Sequence, residues 1–537
     1  MTDETNPSGQ TNSSGQANPS GNGARALIET LVAADVDVCF SNPGTSEMHF
    51  VAALDDVPGM RGVLCLFEGV ASGAADGFAR MSGRPAATLL HLGPGLGNAM
   101  ANLHNARRAH SPIVNIVGDH ATYHKQYDAP LESDIDSIAA ACEGWFRRSM
   151  SPDEVAQDAA DAVAAALASP ARIATLVLPA DVCWLDAPGA VGPSTPEPAS
   201  APDPALVAEI AAVLRGDASS VVLIGGRAML ADGVTAAARV ATAAGARLFA
   251  ETFPARHERG AGLPPVDRLA YLAEFAQMQL DGAEHVVVVD AAAPVSFFAY
   301  PGKASVLTPE GCAIHQVPRS VDPVAFLEAL AEALDAPAEV AVAEASRPEL
   351  PSGPLTTDGA AAVIGALLPE RAIVVDEANT SGLFIPAATA GAPRHDWLCL
   401  TGGSIGVGLP LAVGAAVACS DRPVLALQAD GSAMYTLQAL WTMVRESLDV
   451  TTVIFANHSY AVLNMELQRV GAAQVGPKAL SMLDLHGPEL DFVSLAQGMG
   501  VGATRATTAE EFADQLAAAL ATPGPSLIEA VVPPLGF

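Results

Sequence analysis

Ala429-Asp430-Gly431-Ser432 is followed, 27 positions after the aspartate, by Asn457 within Phe455-Ala456-Asn457-His458-Ser459-Tyr460. Each of these two polar turns comes directly after a run of apolar residues that indicates a buried strand, and a segment of helix length separates them. A strand, helix and strand in succession form a parallel pair, so the carboxyl ends of both strands meet at one edge of the sheet. We therefore expect Asp430 and Asn457 to lie side by side.

Oxygen ligands at this edge predict a site for a hard divalent cation. Asp430 supplies a charged oxygen, Asn457 an amide oxygen and Ser459 a backbone carbonyl. Magnesium prefers six oxygens and usually combines a few protein ligands with water and substrate phosphate. Two oxygens of a diphosphate would complete the set.

The residues after the aspartate suit the diphosphate itself. Gly431 permits close approach of the backbone, and Ser432 lies at the start of a helix predicted over Met434–Glu446. A helix N-terminus favours phosphate through its free N–H groups and its dipole. An ordinary connection between strand and helix is the alternative interpretation of Asp-Gly-Ser taken alone.

The length of 537 residues suggests three or four domains, and two proline-rich segments indicate where they divide. These segments are Asp186–Pro204 and Asp335–Thr357. The predicted organisation is a disordered tail at 1–22, followed by folded parts at 23–185, 205–335 and 357–537.

Each folded part repeats a short apolar run, a turn and an alanine-rich helical stretch, which predicts an α/β protein with three mostly parallel sheets flanked by helices. The predicted strands are Val36–Phe40, Gly62–Phe67, Ala87–Leu92, Ile113–Gly118, Thr175–Pro179, Ser220–Gly225, Arg247–Ala250, His285–Asp290, Ala313–Val317, Ala372–Asp376, Pro423–Gln428, Val450–Ala456 and Pro525–Val531.

Charge and cysteine usage exclude several classes of function. A formal charge of −32 argues against a nucleic-acid or anionic-membrane partner. The longest apolar run, Ile405 to Ala418, is shorter than a membrane span. Seven scattered cysteines without a C-x-x-C pair indicate reduced thiols, so we expect a cytoplasmic protein.

The unit from Asp430 to Asn457 resembles the signature of thiamine-diphosphate enzymes, in which Gly-Asp-Gly and Asn-Asn flank about 25 residues. Ala429 and Ala456 replace the first residue of each element, but neither replaced residue is the metal-binding side chain. The resemblance extends over residues 24–534 to the superfamily of acetolactate synthase and benzoylformate decarboxylase. It implies thiamine diphosphate, Mg²⁺ and a homodimer or homotetramer, with the cofactor between the first domain of one subunit and the third of another.

In the first domain, Phe67-Glu68-Gly69 through Gly77 follows a strand and opens a helix, as in those families. The resemblance implies that Glu68 is catalytic and hydrogen-bonds the aminopyrimidine ring of the cofactor. Sharing a proton with the ring requires a carboxylate in an apolar setting. A glutamate at a helix start can otherwise serve as a simple dipole partner.

The same resemblance assigns further roles. His91, 23 residues after Glu68, matches a histidine that serves proton transfer and substrate binding, and Thr45 matches a substrate-facing serine. Ile405 matches the aliphatic side chain beneath the bend of the cofactor. The implied cofactor-binding residues are Pro43, Gly44, Glu68, Asn98, Glu377, Thr380, Ser381, Gly403, Ile405, Asp430, Gly431, Ser432, Asn457, Ser459, Tyr460, Ala461, Val462 and Leu463.

Such a cofactor implies decarboxylation or carboligation of 2-oxo acids, and three departures bear on which. Glu466 stands where acetolactate synthases have a tryptophan, and Leu131 stands where they have an active-site glutamine. Their FAD-binding glycine-rich segment has no counterpart in Phe253–Leu263. These departures argue against authentic acetolactate synthesis and against FAD.

Benzoylformate decarboxylase uses a second histidine that Ser296–Pro301 lacks; Phe297, Phe298 and Tyr300 form either an apolar wall or ordinary core. Three hypotheses remain at this stage. The first is an acetolactate-synthase-like enzyme of 2-oxo acids, the second a non-oxidative decarboxylase of benzoylformate decarboxylase type, and the third a catalytically idle cofactor-binding or regulatory subunit.

Overall fold

A computed structural model describes residues 21–470 and 475–534, and their strands form three sheets. The predicted tail lies outside these residues except for Gly21 and Asn22. Asn22 belongs to the folded part, because its side-chain oxygen accepts the backbone N–H of Arg25 and caps the first helix.

The first sheet has the order β2-β1-β3-β4-β6-β5, and all its pairs are parallel. Its strands are β1 Val38–Ser41, β2 Arg61–Leu64, β3 Ala86–Leu90, β4 Ile113–Asp119, β5 Trp145–Arg148 and β6 Ile173–Pro179. The helices of this part are α1 Gly23–Ala33, α2 Met48–Ala53, α3 Glu68–Ser82, α4 Leu92–Arg108, α5 Ile135–Ala140, α6 Val155–Ala166 and α7 Ala180–Trp184, with 3₁₀ turns at Thr45–Glu47 and Lys125–Tyr127.

The second sheet has the order β10-β8-β7-β11-β12 and is also parallel. Its strands are β7 Ser220–Ile224, β8 Arg247–Ala250, β10 Asp267–Arg268, β11 His285–Val289 and β12 Ala313–Gln316; β9, His257–Arg259, leaves this part of the chain to pair elsewhere. The helices are α8 Pro204–Leu214, α9 Ala231–Ala244, α10 Ala273–Leu280 and α11 Pro323–Ala333, with a 3₁₀ turn at Gly226–Met229.

The third sheet has the order β17-β18-β16-β15-β13-β14-β9, and only the pair of β14 with β9 is antiparallel. Its other strands are β13 Ile373–Glu377, β14 His395–Cys399, β15 Val424–Ala429, β16 Val450–Ala456, β17 Gly502–Ala506 and β18 Ser526–Val531. The helices are α12 Thr357–Leu367, α13 Ile385–Ala388, α14 Gly408–Ala418, α15 Asp430–Ala433, α16 Ala439–Arg445, α17 Ala461–Arg469, α18 Pro477–Ser481, α19 Phe492–Gly498 and α20 Ala509–Ala521, with a 3₁₀ turn at Asn379–Gly382.

The sheets are covered on both faces, as the apolar strands predict. Along β4, Ile113 and Val117 pack in one core cluster, while Val114 and Ile116 pack in another on the opposite face. The prediction of an α/β fold is therefore confirmed.

Glycines bring the first and third sheets together through helices α3 and α14. A Cβ atom on Gly77 would lie 2.2 Å from the carbonyl oxygen of Leu411, and one on Gly414 would lie 1.9 Å from that of Ala74. Such a contact leaves no room for a side chain. Gly77 in α3 and Gly414 in α14 therefore determine how closely the two helices pack, and this packing positions the site.

Some elements begin or end at other residues than the sequence predicts, and some strands were not predicted at all. Strands β5, β9, β10, β14 and β17 were not predicted. Polar residues interrupt the apolar pattern of β14, whose His395 and Asp396 are nevertheless buried, and Asp396 is paired with Arg256 and Arg422. Because the two arginines pair with the carboxylate, burial of Asp396 costs less free energy than the sequence pattern implied.

Among the helices within the described residues, none combines the length and the hydropathy that a bilayer crossing requires. All seven cysteines fall in this part of the chain and are free thiols, five of them buried.

Candidate active site

Asp430 and Asn457 lie at the ends of the neighbouring parallel strands β15 and β16, where Ala429 is in register with Phe455. Both side chains are buried, with 2% and 4% of their surface exposed. The carboxylate of Asp430 accepts the backbone N–H of Gly431 at 2.8 Å and that of His458 at 2.7 Å. The two turns are thus joined across the sheet edge, as the sequence predicts.

Neighbouring hydroxyl and amide groups complete this polar cluster. Asn457 accepts the N–H of Ser459 at 3.0 Å and donates to the hydroxyl of Ser381 at 3.1 Å. The amide of Asn379 donates to the hydroxyl of Ser432 at 3.0 Å. Thr380 lies in the same 3₁₀ turn and is half-buried. Asn379 was missed because nothing in its local pattern marks it as a partner of Ser432.

The helix predicted over Met434–Glu446 begins later than expected. Asp430–Ala433 forms a short helical turn, and the regular helix spans Ala439–Arg445. Between them, the hydroxyl of Thr436 donates to the carbonyl of Gly406 at 2.8 Å. The backbone N–H of Thr436 reaches only three residues back, to Ala433, so the turn stays tighter than an α-helix.

The chemistry of this cluster fits a cation. Burial raises the pKa of Asp430, although backbone N–H groups counteract this. The described residues contain no group of three or more His, Cys, Asp and Glu side chains that could hold a metal by themselves. One carboxylate and one amide oxygen would therefore need phosphate and water oxygens to complete an octahedral set.

Tyr460 covers the cluster. A Cβ atom on Gly431 would lie 2.4 Å from the ring atom Cε1 of Tyr460, so only glycine fits beneath the ring. Helix α17 then begins at Ala461, which is buried, whereas Val462 is half-buried and Leu463 is exposed. These three apolar residues directly follow the turn that contains Asn457 and Ser459, so they border the cluster without supplying polar atoms from their side chains.

Glu377 holds the loop that carries Ile405. Its carboxylate is buried and accepts the N–H groups of Gly406 and Gly408 at 2.6 Å each. The amide of Gln428 donates to the same carboxylate at 2.8 Å. Burial raises the pKa of Glu377, and these donors oppose the shift. Glu377 therefore fixes the backbone of the loop that carries Ile405 through two hydrogen bonds.

The same loop also docks on helix α4. The amide of Asn105 donates to the carbonyl of Ser404 at 2.8 Å, and that of Asn102 donates to the carbonyl of Gly406 at 3.4 Å. Ile405 is half-buried and packs against the core shared by the first and third sheets. Gly403 is exposed with a φ of +75°, a conformation that favours glycine.

Glu68 opens helix α3 and is 6% exposed. The amide of Asn98, which lies in α4, donates to its Oε2 atom at 3.0 Å. The carboxylate therefore lies in the buried setting that its predicted role requires, with one oxygen already held by the protein.

His91 is held by a carboxylate that the sequence did not single out. Its Nδ1 atom lies 2.9 Å from Oε2 of Glu47 and 3.3 Å from the hydroxyl of Ser46. Glu47 is 2% exposed and also accepts the N–H of Gly44 at 2.8 Å. A Cβ atom on Gly44 would lie 2.1 Å from the His91 ring, which explains the glycine after Pro43. The sequence feature that could have indicated this partner of His91 is Glu47 itself, which lies two residues after Thr45.

A cavity of about 270 Å³ opens beside His91. Thr45, Ser46 and Leu131 also line it, and Leu131 is partly exposed. Leu131, which the sequence resemblance aligns with a glutamine of acetolactate synthases, therefore borders the same space as His91.

Glu466, which the sequence resemblance aligns with a tryptophan of acetolactate synthases, contacts Tyr300 in the segment 296–301. The hydroxyl of Tyr300 donates to Oε2 of Glu466. The guanidinium of Arg469 lies 4.7 Å from the centre of the Tyr300 ring and bonds Glu274 at 2.9 Å. Tyr300 and Glu466 thus form one contact although they lie far apart in the sequence. Phe297 packs edge-on against Phe253, with ring centres 5.7 Å apart, so this segment carries an aromatic cluster as well.

The predicted residues fall into two groups. The turns and helices beside the first sheet carry Thr45, Glu68, His91 and Asn98, and those beside the third sheet carry the cluster of Asp430 and Asn457 with Ile405. No hydrogen bond among the described residues joins Glu68 to the Asp430 cluster, although the close packing of α3 on α14 and the loop on α4 connect the two parts of the chain.

Comparison with known proteins agrees with this architecture. Residues 21–140 match the family model described as "Thiamine pyrophosphate enzyme, N-terminal TPP binding domain", and residues 385–530 match its C-terminal counterpart. A benzoylformate decarboxylase of Pseudomonas aeruginosa is 32% identical over 541 residues, covering 94% of this chain and 97% of that protein. The chain belongs to the thiamine pyrophosphate enzyme family.

Two further similar proteins carry the names of two different activities. The Mycobacterium tuberculosis protein named "Putative acetolactate synthase large subunit IlvX" is 61% identical over 516 residues, covering 96% of this chain and 99% of that protein. The solved thiamine diphosphate-dependent 4-hydroxybenzoylformate decarboxylase of Rhodococcus jostii RHA1 is 25% identical, with a TM-score of 0.82 over 96% of this chain and 99% of that chain. The resemblance inferred from the sequence is confirmed at the level of the family.

Proposed function

We propose that this protein is a Mg²⁺- and thiamine diphosphate-dependent enzyme that releases CO₂ from a 2-oxo acid, without FAD. The observation that carries the proposal is the buried pair of Asp430 and Asn457 at adjacent strand ends, combined with the buried Glu68. When bound, thiamine diphosphate supplies the electron sink for the bond that CO₂ leaves.

The residues of the chain have separate tasks in this proposal. Asp430, Asn457 and the carbonyl of Ser459 hold Mg²⁺, and Gly431, Ser432, Thr380 and Ser381 approach the diphosphate. Ile405 supports the bend of the cofactor because Glu377 and α4 fix its loop from two sides. Support from both sides restricts the motion of the loop.

Proton handling falls to the first sheet. Asn98 occupies Oε2 of Glu68 and leaves Oε1 for the aminopyrimidine ring of the cofactor. His91 faces the substrate cavity with its Nδ1 atom held by Glu47, and Thr45 offers a hydroxyl in the same cavity. A held imidazole can deliver a proton at a defined position.

Two contacts favour decarboxylation of the benzoylformate decarboxylase type over acetolactate synthesis. The contact of Glu466 with Tyr300 fills the place where an acetolactate synthase has its tryptophan, and Leu131 borders the cavity in place of a glutamine. Acetolactate-type carboligation is the second candidate, because the relative with 61% identity carries that name.

We further propose a cytoplasmic homodimer or homotetramer with the cofactor between subunits. In this arrangement the Glu68 group of one subunit would lie beside the Asp430 group of another. Within the described residues of one chain, no hydrogen bond joins these two groups. Sedimentation of the loaded enzyme tests it, and a fully active monomer would contradict it.

Release of CO₂ from a panel of 2-oxo acids, with and without acceptor aldehydes, tests the reaction. We expect Glu68→Gln to abolish it, with Glu29→Gln on the surface of α1 as the matched control. Unchanged turnover in Glu68→Gln would refute the proton role. If the wild type binds thiamine diphosphate but acts on no acid, the protein is a cofactor-binding subunit.

A further inference from the structure

Helix α17 directly follows the turn that contains Asn457 and Ser459, and the second folded part of the chain contacts its far end. The helix begins at Ala461, next to Tyr460, whose ring lies over Gly431. Because the chain is continuous, a shift of α17 away from the sheet edge would move this ring and the turn with it. A role for the contacts of α17 rests on the proposed function, because it assumes that Mg²⁺ and thiamine diphosphate bind at this turn.

Helix α17 has little apolar support of its own. Of its nine residues only Ala461 is buried, and the side chain of Leu463 is 47% exposed. A helix of this length is marginally stable unless an apolar face packs against the protein. Contacts of its polar side chains therefore matter more for its position than they do in a helix with a full apolar face.

These polar contacts lead to the second folded part. Arg469, in the last turn of α17, donates to Oε2 of Glu274 in α10 at 2.9 Å, and Lys303 donates to Oε1 of Glu274 at 2.6 Å. The guanidinium of Arg469 also lies 4.7 Å from the centre of the Tyr300 ring. The hydroxyl of Tyr300 donates to Glu466, one turn earlier in the same helix. We name this network the α17 clasp; it consists of Glu274, Tyr300, Lys303, Glu466 and Arg469.

The clasp is the main polar attachment of the helix. The amide of Asn464 donates to the hydroxyl of Ser459 at 2.9 Å, which joins α17 only to the turn before it. Among the described residues, the other side-chain hydrogen bonds of α17 all belong to the clasp. The hydrogen bonds from Lys303 and Arg469 lower the pKa of Glu274 from 4.5 to about 2, so the clasp keeps its charges at neutral pH.

We propose that Glu274 is a positioning residue for the cofactor. Through Arg469 it holds α17, and with it Tyr460 and the preceding turn, against the end of the third sheet, and it thereby slows the release of thiamine diphosphate. The ion pairs of Glu274 are partly exposed. Dissolved salt weakens exposed pairs more than buried ones, so the effect of Glu274 on release should diminish at high ionic strength.

The test measures how fast radiolabelled thiamine diphosphate leaves the Mg²⁺-loaded protein after dilution into an excess of unlabelled cofactor, which requires no substrate. We expect Glu274→Ala to speed release by about three- to fivefold, the effect of losing a partly exposed ion pair. Glu274→Gln keeps an acceptor for Arg469 and should speed release less. The ratio of the Glu274→Ala rate to the wild-type rate should fall towards one as KCl rises from about 0.05 M to about 1 M.

Glu332→Ala is the matched control, because it removes an exposed charge from α11 in the same folded part, and it should leave the release rate unchanged. Equal release rates for Glu274→Ala and the wild type would overturn the inference. A ratio that does not change with salt would overturn it as well, because it would indicate a general loosening of the fold. A wild type that binds no thiamine diphosphate refutes the proposed function itself, whereas normal binding with a release rate that Glu274→Ala does not change refutes the role of Glu274 alone.

Discussion

The Nδ1 atom of His91 lies 2.9 Å from Oε2 of Glu47, although 44 residues separate them in the chain. The carboxylate is buried and is held in turn by the N–H of Gly44 and the hydroxyl of Ser46, at 2.8 and 2.5 Å. This arrangement resists rotation of the imidazole, because each of its contacts is itself fixed by the 3₁₀ turn at Thr45–Glu47.

Glu47→Gln should lower kcat for CO₂ release by roughly 10- to 100-fold while KM changes little, because the amide no longer fixes the proton at Nδ1. The pH profile of kcat should change as well, which a purely structural role would not cause. Ser46→Ala, which removes a weaker contact, should have a smaller effect. Equal kcat values and pH profiles for Glu47→Gln and the wild type would remove Glu47 from the mechanism.

Asp430→Ala should abolish Mg²⁺-dependent binding of thiamine diphosphate in titration calorimetry, because the single carboxylate of the cluster is lost. Asp421→Ala is the matched control, since its side chain is 67% exposed and pairs with Arg371 at the surface. Normal binding by Asp430→Ala would place the metal elsewhere.

Gly77→Ala should destabilise the protein by roughly 1–3 kcal/mol, because the new methyl group would meet the backbone of Leu411 at the contact of α3 with α14. Gly97→Ala is the matched control, because it lies inside α4 and a methyl group there would have no neighbouring atom within 4 Å. Alanine at this position should be neutral or stabilising by up to about 1 kcal/mol. Thermal unfolding of the cofactor-free protein measures both. Equal midpoints for the two variants would show that the helices can separate at low cost.

The pH dependence of stability should carry a contribution from Glu251, which directly follows β8. Burial raises its pKa from 4.5 to about 7. Between these values the folded state binds more protons than the unfolded state, so stability falls as pH rises from 4.5 to 7 and is constant above. The loss amounts to about 3 kcal/mol at roughly 1.4 kcal/mol per pKa unit.

Glu251→Gln keeps an acceptor for the N–H of Gly226 and should remove this dependence. Thermal midpoints measured at intervals from about pH 4.5 to about pH 8 follow it, with the exposed Glu339→Gln as the control. A variant whose midpoint follows pH as steeply as that of the wild type would contradict the assignment.

The contact of Tyr300 with Glu466 should be measurable by a double-mutant cycle. Because the acceptor is a carboxylate, Tyr300→Phe and Glu466→Ala, each of which removes the hydrogen bond, should couple by about 1.5–3 kcal/mol in the free energy of unfolding. Met465→Leu on the same helix provides a control that should be additive with Tyr300→Phe. Additivity of the first pair would mean that the two segments do not stabilise each other.

The sequence predicted those parts of the site that local connectivity controls. Asp430 and Asn457 follow successive parallel strands, so their proximity follows from the strand and helix pattern alone. His91 and Glu68 were identified through family resemblance, and of the two only Glu68 had a predicted environment, the buried setting in which it lies. Their catalytic roles remain predictions until activity is measured.

The sequence did not predict contacts between segments far apart in the chain. Glu47 with His91, Tyr300 with Glu466 and Asn379 with Ser432 each join residues whose local patterns give no indication of the partner. Strand β9 was missed for the same reason, because its three residues become a strand only by pairing with β14.

By itself, the sequence determined the α/β class, the family and the adjacency of Asp430 and Asn457, because apolar periodicity and short motifs act within a single strand, helix and strand. Only the tertiary structure decided that Glu377 holds the Ile405 loop, that Glu47 holds His91 and that Glu466 meets Tyr300. These contacts depend on how the three sheets pack, and the packing of the first sheet on the third is set by the close approach of α3 and α14 at Gly77 and Gly414.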